Sequence, residues 1–378
     1  MSPSSKPIVI KKIEVRLLRL PLITTFTTGF GTINYKETVV VRLEDSDGVV
    51  GWGEGAALSF PNYSPETAIT TYLGLKEYLL PSIVGKRISG PEGLDNLYSQ
   101  VKGYHFAKTA IDCAMWMICS IKSQQSLKQL LGGKSESVAI GESIGIKNSI
   151  DETLEEISLR LDQGYQRIKI KIKPGWDVEL VRKVRAKFSD IPLMVDANSS
   201  YSLNDVPIFK KLDKFNLMMI EQPLGDTDIV DHSFLQKEIT TPICLDESIL
   251  SVEDARKAIK IGACKIINIK PGRVGGISES KKIHDFCQDN NIGVWCGGLL
   301  ETGIGRAFNI ALSSLPGFKY PADMSPSSFF YKEDLIDPTY EVDKNGYIAI
   351  PTATGLGYNL EMKRINKYTK QKYNTRAY

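Results

Sequence analysis

The amino-acid sequence predicts an α/β fold: a (β/α)7β barrel, which is a modified TIM barrel, joined to a smaller α+β capping domain. After residue 135, short β-rich runs alternate with longer amphipathic stretches, and the polar residues that end these runs recur at a nearly constant interval. Alternating strands and helices form parallel βα units, and seven or eight in series close into a barrel. We assign residues 1–133 to the capping domain, 134–325 to the barrel, and 326–378 to a C-terminal segment that returns to the capping domain.

The first part of the chain shows strand patterns followed by a helix pattern. Residues 8–20 and 37–44 are rich in β-branched residues, which favour strands, and the turn residues at 45–48 predict a hairpin. Helical periodicity is clearest from about Phe106 to Leu131, and Gly132-Gly133 should stop that helix.

Seven short β-rich runs mark the predicted barrel strands. In chain order they read VAIGESIGI, RIKIKI, PLMVDAN, LMMIEQP, PICLDES, KIINIKP and GVWCGG.

The polar residues at the ends of five of these runs share one spacing. Lys171, Asp196, Glu221, Asp246 and Lys270 follow one another at intervals of 25, 25, 25 and 24 residues. One βα unit of a barrel takes roughly 25–30 residues, so each residue occupies the same place in successive units, at the carboxyl end of a strand. Barrel active sites are built at that rim.

The three carboxylates in this series predict a metal site. Asp196, Glu221 and Asp246 should converge, and three like charges repel unless a cation lies between them. Oxygen-only ligation favours Mg²⁺, with Mn²⁺ as a substitute, and the lack of His or Cys at these positions disfavours zinc. The alternative is that each carboxylate forms a structural salt bridge with a Lys or Arg, and the common register favours the metal.

The lysines predict acid/base chemistry. Alternation along the second run places Lys169 and Lys171 on the face towards the barrel axis and its isoleucines towards the outer helices. Lys171 and Lys270 then lie on opposite sides of the metal positions, one near each face of a bound substrate's α-carbon. An ordinary lysine is protonated at neutral pH, so a base role requires a lowered pKa, which a nearby metal ion and a second ammonium favour.

Composition excludes several other classes of protein. A net charge of +3 over 378 residues is too small for a nucleic-acid footprint, and no apolar stretch reaches membrane-spanning length. The basic tail at 363–378 is expected to be a solvated, frayed terminus. The six cysteines show no zinc spacing and are expected to be buried free thiols in a reducing compartment. Without a signal peptide, the cytoplasm is the expected location. We also expect a homo-oligomer.

Weaker features are interpreted as structural. The glycine-rich segment at 272–276 matches neither a phosphate-binding loop nor a dinucleotide fingerprint, and we expect it to join the sixth strand to its helix. His105, His232 and His284 lie outside the strand-end series and are expected to be structural or surface residues.

The strand-end motifs resemble those of the enolase superfamily, in its muconate-lactonising subgroup. The motifs are Lys169-Ile170-Lys171, Asp196-Ala197-Asn198, Glu221-Gln222-Pro223, Asp246-Glu247-Ser248 and Asn268-Ile269-Lys270-Pro271-Gly272. Lysine bases beside Mg²⁺ are a general feature of that superfamily. The stretches IKPGWDVE at 172–179, NIKPGRVGG at 268–276 and VWCGGLLETGIGRA at 294–307 are similar to the group of o-succinylbenzoate synthases and N-succinylamino acid racemases.

This resemblance implies a carboxylate substrate with a succinyl group, bound between barrel and cap. It also implies that the segments at 24–32 and 55–64 close over the substrate. The positions that match site-lining residues are Ser143, Lys169, Asn198, Gly298 and Glu301.

Two departures separate the chain from other subgroups. Relatives of mandelate racemase use a late histidine base, where this chain has Lys270, and dipeptide epimerases carry Asp-x-Asp where this chain reads Asp323-Met324-Ser325.

Two reactions stay open: a syn-dehydration that forms o-succinylbenzoate in menaquinone biosynthesis, with Lys171 as base and acid, and racemisation of N-succinylamino acids by both lysines. A Schiff-base aldolase, a dipeptide epimerase and a non-catalytic barrel explain fewer of these residues.

Overall fold

The computed structural model describes residues 7–28 and 31–377. The four N-terminal strands are β1 (Ile8–Thr28), β2 (Gly31–Asp45), β3 (Val50–Gly55) and β4 (Arg87–Ile88), and the last strand of the chain is β16 (Thr369–Arg376). They form an antiparallel sheet with the strand order β16-β1-β2-β3, and β4 pairs with the start of β1.

The predicted hairpin at 45–48 is confirmed. Asp45 Oδ1 accepts hydrogen bonds from the backbone N–H groups of Asp47 and Val49, both at 2.9 Å, and Gly48 takes the left-handed φ of 81° that the turn requires. The predicted 24–32 loop falls on the ends of β1 and β2, and its residues 29 and 30 lie outside the described part of the chain.

Helices cover one face of this sheet. They are α1 (Ala68–Gly74), continued by a π-helical turn (Leu75–Leu79), α2 (Leu94–Tyr98), α3 (His105–Ser123) and α4 (Leu127–Leu131).

The single helix predicted from Phe106 to Leu131 was wrong, because the chain forms two helices there. Gln124 takes a left-handed φ of 55° and ends α3, and Ser126 begins α4 with a reciprocal capping box to Gln129. Gly132 ends α4 in the left-handed conformation, as predicted.

The second part of the chain is the predicted parallel barrel. Its strands follow the order β11-β10-β9-β8-β7-β6-β5-β12, each parallel to its neighbour, and the barrel is nearly closed between β11 and β12. The strands are β5 (Ser137–Ile144), β6 (Arg167–Lys171), β7 (Leu193–Asp196), β8 (Ile220–Glu221), β9 (Ile243–Leu245), β10 (Ile266–Ile269), β11 (Gly293–Cys296) and β12 (Ala322–Asp323).

Helices surround the barrel and connect its strands. They are α5 (Ile150–Asp162), α6 (Val178–Lys187), α7 (Val206–Leu212), α8 (Val230–Glu238), α9 (Val252–Ile261), α10 (Pro271–Val274), α11 (Ile277–Asp289) and α12 (Gly303–Leu312). Short 3-10 turns lie at Leu80–Ser82, Pro91–Gly93, Leu203–Asp205, Asp213–Phe215 and Ser327–Phe329. As predicted, the 272–276 segment joins the sixth strand to its helix, through α10.

Inward-facing and outward-facing side chains alternate along β6 as predicted. Ile168 and Ile170 pack into the large core between strands and helices, whereas Lys169 is buried among charged groups inside the barrel. A separate apolar cluster includes Met194, Met219, Cys244, Ile266 and Trp295. Since Met194, Met219 and Cys244 each stand two residues before a strand-end carboxylate, period-2 alternation places this layer directly beneath those carboxylates.

The C-terminal segment corrects the prediction of a frayed tail at 363–378. It contains β13 (Ile336–Asp337), β14 (Tyr347–Ala349), β15 (Asn359–Leu360), α13 (Met362–Tyr368) and β16 (Thr369–Arg376). Strand β16 pairs antiparallel with β1 in the register Lys12↔Arg376 to Leu18↔Thr369. Three basic residues of the tail, Lys370, Lys372 and Arg376, occupy alternate positions of the edge strand β16, where exposed lysines are well tolerated, and the other three lie in α13.

The remaining structural predictions mostly hold. All six cysteines are free, and five are buried, but Cys119 is only partly covered. His232 is held by Asp228 and the backbone of Leu224, and His284 Nε2 accepts from the N–H of Gly317. Within the described ranges, no helix is both long and apolar enough to cross a lipid bilayer.

Candidate active site

The five residues of the 25-residue series stand at one rim of the barrel. Lys171, Asp196 and Glu221 end β6, β7 and β8, and the strand register sets Lys171 beside Asp196 and Asp196 beside Glu221. Asp246 follows β9 by one residue, and Lys270 follows β10 by one residue. We call these five residues the rim cluster.

Each outer lysine of the rim cluster contacts a different carboxylate. Lys171 Nζ lies 2.5 Å from Asp196 Oδ2 and donates to Asn198 Oδ1 at 2.6 Å. Lys270 Nζ lies 2.7 Å from Asp246 Oδ2. The Lys171 side chain is 27% exposed and that of Lys270 only 8%, so solvent reaches the two ammonium groups unequally.

Lys169 lies between these two pairs, inside the barrel. Its Nζ is 2.6 Å from Asp323 Oδ2, 3.0 Å from Glu221 Oε2 and 3.6 Å from Asp196 Oδ2. Burial alone would lower the pKa of Lys169, but Asp323, Glu221 and Asp196 outweigh it and raise that pKa. Lys169 is therefore a permanent cation whose charge offsets the crowded carboxylates.

Asp246 is the most heavily bonded carboxylate of the site. It accepts from Lys270 and Arg273 and, at 2.9 Å, from the hydroxyl of Tyr63. Lys270 and Arg273 outweigh burial and hold the pKa of Asp246 well below its usual range. Tyr63 comes from the predicted 55–64 segment, and its ring centroid lies 4.6 Å from Lys270 Nζ, so this segment of the cap reaches the rim cluster.

Two other carboxylates are held closer to neutrality. Burial raises the pKa of Glu221 to about 7, with Asp196 adding to the shift, and burial raises the pKa of Glu247 to about 8, with Asp246 and Asp196 adding to it. Glu247 Oε2 is buried and has no hydrogen-bond partner among the described residues. Burial and the neighbouring carboxylates therefore both disfavour the charged forms of Glu221 and Glu247.

The motif residues beside these carboxylates tie neighbouring strand ends together. Gln222, with a left-handed φ of 34°, accepts the backbone N–H of Asp246 at 2.9 Å and donates to Ser248 at 2.5 Å. Asn268 Nδ2 donates to Glu221 at 2.6 Å, and its buried Oδ1 has no partner within the described ranges.

Two of the predicted substrate-binding positions, Ser143 and Asn198, lie near the lysines of β6, whereas Gly298 is explained by packing. Ser143 is half-buried in β5, level with Lys169, and Asn198 contacts Lys171 directly. A Cβ at Gly298 would lie 2.5 Å from the carbonyl oxygen of Asp323, so packing alone requires glycine there. A Cβ at the neighbouring Gly297 would meet Lys270 Cε at 2.6 Å, so this glycine leaves room for the lysine.

Glu301 is not brought into the rim cluster. Its carboxylate is buried and accepts from Arg306 at 2.9 Å, Asn309 at 2.8 Å and the backbone of Leu299 at 2.9 Å. These contacts fix the loop that follows β11, so they favour a structural role for this carboxylate over the predicted substrate contact.

Sequence reasoning missed three side chains that the structure places at the site. Arg273 belongs to a segment that was interpreted only as a turn, Glu247 directly follows a predicted ligand, and Asn268 stands two residues before Lys270. The period-2 alternation of β10 could have identified Asn268, since it puts Asn268 and Lys270 on one face.

In the part of the chain that the structure describes, no three His, Cys, Asp or Glu side chains are arranged as a metal-binding cluster. The carboxylates of the rim cluster are instead turned towards ammonium and guanidinium groups. This arrangement corresponds to the alternative stated for the sequence, in which each carboxylate forms a salt bridge with a lysine or arginine. The residue types still fit a hard cation, because the donors are all oxygen and Glu247 Oε2, buried beside them, has no hydrogen-bond partner in the described part of the chain.

Comparison with known proteins identifies the family. Residues 152–364 match the family described as enolase C-terminal domain-like, and residues 12–132 match the mandelate racemase / muconate lactonizing enzyme N-terminal domain. This chain belongs to the enolase superfamily. The superfamily fold predicted from the strand-end motifs is thereby confirmed.

Relatives in the superfamily cover nearly the whole chain. An o-succinylbenzoate synthase of Geobacillus kaustophilus is 47% identical and covers 96% of each chain. An N-succinylamino acid racemase of an Amycolatopsis species is 43% identical over 91% of this chain and 93% of that protein. A solved structure of an enolase superfamily member from Listeria innocua has a TM-score of 0.95 and 40% identity, and covers 98% of this chain and 99% of its own.

Proposed function

We propose that this protein is a divalent-metal-dependent enzyme that removes a proton next to a carboxylate, and that it acts as an o-succinylbenzoate synthase. One observation carries the proposal. Lys171 and Lys270 stand at the second and sixth strand ends of the barrel, on either side of carboxylates at the third, fourth and fifth. The likeness to synthases at up to 47% identity supports this reaction, a dehydration in menaquinone biosynthesis.

Asp196, Glu221 and Asp246 are the residues that would hold the metal, with Mg²⁺ as the proposed ion and Mn²⁺ as a substitute. When bound there, a divalent cation would supply charge stabilisation for the electron-rich carboxylate formed as the proton leaves. Lys169 would remain beside these ligands as a fixed positive charge, because Glu221 and Asp323 hold it protonated.

The unequal surroundings of the lysines favour Lys171 as the base in the dehydration. Its Nζ would take the proton from the α-carbon, and the electrons of that C–H bond would move into the substrate carboxylate. Those electrons would then return to form a double bond between the α- and β-carbons as the carbon–oxygen bond to the β-hydroxyl breaks, and the same Nζ would give its proton to the departing hydroxyl, so that water leaves. Lys270 would stay protonated, since Asp246 overcomes burial and raises its pKa well above the usual value. Its ammonium would stabilise the negative charge that develops on the substrate.

Racemisation of N-succinylamino acids is a second candidate for the same site. Removal of a proton by one lysine and its return by the other would invert the α-carbon, which requires a lysine on each face. The opposed positions of Lys171 and Lys270 meet this requirement, and the 43% identity to a racemase favours it.

The succinyl group would lie between the rim cluster and the cap. Ser143 and Asn198 are the barrel positions proposed to contact the substrate, and the segments at 24–32 and 55–64 are proposed to cover it. Tyr63 supports this arrangement, because it already contacts Asp246 from the cap side.

A parallel assay tests the proposal. The metal-free protein, prepared with a chelator, should neither dehydrate nor racemise, and addition of Mg²⁺ or Mn²⁺ should restore activity. The dehydration substrate and both enantiomers of an N-succinylamino acid should be measured with each ion. Full activity after exhaustive metal removal would refute the metal assignment. Absence of dehydration, racemisation and α-proton exchange with every ion would favour a non-catalytic protein.

A further inference from the structure

A chain of hydrogen bonds connects Glu247 to Lys171. Glu247 Oε1 accepts from Asn198 Nδ2 at 3.1 Å, and Asn198 Oδ1 accepts from Lys171 Nζ at 2.6 Å. An ammonium group only donates, so it requires the oxygen of the amide, and the amide nitrogen must then face an acceptor. Glu247 supplies that acceptor, and the three side chains form one directed series.

The backbone holds Asn198 in an unusual conformation to make this series. Asn198 and the following Ser199 have left-handed φ values of 42° and 63°. The N–H of Asn198 donates to Asp196 Oδ1 at 2.9 Å, and the N–H of Ser199 donates to the carbonyl of Gln222 at 2.9 Å. Two successive non-glycine residues in this region are disfavoured, and such strain persists where the surrounding structure enforces it, often at functional sites.

The Glu247 carboxylate destabilises the folded state at this position. Its Oε1 has a single partner, and its buried Oε2 has none among the described residues. A buried carboxylate oxygen without a partner destabilises a fold. The side chain thus contributes less to stability than an apolar residue of similar size would. Its hydrogen bond is with Asn198, which in turn binds Lys171.

Lys270 lies close enough to Glu247 for their charges to interact, but its direct contacts are with other groups. Its ammonium contacts Asp246 and lies over the ring of Tyr63, and Arg273 and Tyr63 in turn bind Asp246. The hydrogen bonds of Glu247 described above lead to Lys171 alone.

We infer that Glu247 is a positioning residue for Lys171, which acts by orienting the amide of Asn198 so that its oxygen faces the ammonium group. This inference rests on the proposed function for its catalytic consequence, which is an effect on one face of the substrate. Without Glu247, the Asn198 amide can rotate, and Lys171 keeps only Asp196 as a fixed partner. A general loss of folding or of cation binding would instead affect both faces.

Face-resolved exchange distinguishes these cases. The manganese-loaded protein is incubated in D₂O with N-succinyl-L-phenylalanine or N-succinyl-D-phenylalanine, and Lys171→Ala identifies the enantiomer served by Lys171. Glu247→Ala should slow exchange of that enantiomer by about tenfold or more, since the hydrogen bond from the charged Lys171 to Asn198 is no longer held in place, and change the other less than about twofold. Glu247→Gln should restore most of the rate, because its amide oxygen accepts the same N–H.

Three results would overturn the inference. They are unchanged exchange in Glu247→Ala, an equal loss for both enantiomers, and failure of Glu247→Gln to restore the rate together with weaker Mn²⁺ binding by calorimetry. The last result would make Glu247 a charge for the cation rather than a positioning residue. If Glu247→Ala does not fold, Asn198→Ala breaks the same series at its centre and should show the same one-face loss.

A second readout needs neither metal nor substrate. Competitive acetylation of the folded protein, followed by peptide mass spectrometry, reports the reactivity of each lysine. In Glu247→Ala, labelling of Lys171 should rise relative to Lys270, because its ammonium loses an oriented acceptor, and Glu247→Gln should match the unaltered protein. An unchanged ratio in Glu247→Ala would contradict the inference. If the unaltered protein neither dehydrates the synthase substrate nor exchanges either enantiomer, the proposed function fails, and the labelling ratio still decides the role of Glu247.

Discussion

Replacement of Asp246 by Asn should have two separable effects, on stability and on metal binding. The Asp246 carboxylate is fully buried and pairs with Lys270 at 2.7 Å and with Arg273. The amide keeps the shape but leaves two buried cations without their counter-charge, and breaking a buried pair costs about 3–5 kcal/mol. With unfolding entropy of about 2.1 cal/mol/K per residue over 378 residues, this corresponds to a decrease in Tm of roughly 4–6 °C.

The metal-dependent part of this prediction uses Mn²⁺ as the probe. A ligand at a hundred times its Kd stabilises the folded state by about 2.7 kcal/mol, which on the same scale raises Tm by about 3 °C. The unaltered protein should show this increase in a thermal melt, and Asp246→Asn should show less than about a third of it at the same Mn²⁺ concentration.

Asp323→Asn is the matched control. Asp323 pairs with two buried cations, at 2.6 Å from Lys169 and 2.6 Å from Arg167, but it is not one of the three proposed ligands. This variant should lose comparable stability and keep the Mn²⁺-dependent increase. If both variants keep the full increase, Asp246 is not a ligand. If both lose it equally, the effect reflects general disruption of the barrel interior.

Three further predictions concern the cap and its contact with the barrel. Glu54→Gln should lower Tm by about 3–4 °C. The buried Glu54 carboxylate accepts hydrogen bonds from the backbone N–H and the hydroxyl of Thr302, at 3.1 and 2.7 Å, and replacing one oxygen by NH2 leaves a donor unpaired. An unchanged melting temperature would contradict this. Burial raises the pKa of Asp112 to about 7, so the folded protein keeps a proton that the unfolded chain releases from about pH 4. The free energy of unfolding should therefore fall by up to about 4 kcal/mol as the pH rises to 7. Urea unfolding measured at several pH values should show this slope in the unaltered protein and not in Asp112→Asn. Phe60→Ala changes an exposed residue of the 55–64 segment and should alter KM and substrate ranking, whereas loss of α-proton exchange with intact binding for all substrates would refute a specificity role.

The barrel and its rim could be predicted because both depend on regular repeats. A 25-residue interval places Asp196 and Glu221 at equivalent strand ends, and alternation along β6 decides that Lys169 faces inward. These inferences use only the geometry of parallel βα units.

Predictions failed or stopped where the chain leaves such regular elements. Strand β9 ends at Leu245, so alternation no longer decides where Glu247 points, and both it and Asp246 reach the site. The break between α3 and α4 depends on a left-handed Gln124, a residue type without strong preference for that conformation. The C-terminal strand depends on pairing with β1 more than 350 residues away, which its own composition does not reveal.

The choice between metal ligation and salt bridges at the rim could not be predicted from residue types. Lysine and aspartate at adjacent strand ends satisfy both arrangements, and the structure shows the ion pairs Lys171–Asp196 and Lys270–Asp246. In the proposed enzyme, a bound cation would take the place of the lysines beside Asp196 and Asp246, and the substrate would contact the released lysines, so the same residues would serve both arrangements.

The most direct test of the central claim is face-resolved α-proton exchange in the two lysine variants. In D₂O, Lys171→Ala should lose exchange with one N-succinylamino acid enantiomer and keep some with the other, through Lys270. Lys270→Ala should show the mirror pattern. Dehydration should nearly vanish in Lys171→Ala and fall in Lys270→Ala, since loss of an ammonium beside a developing negative charge costs several kcal/mol and each 1.36 kcal/mol is tenfold in rate. A change in stability alone cannot select one enantiomer. If both variants exchange both enantiomers at near-native rates, neither lysine is the base.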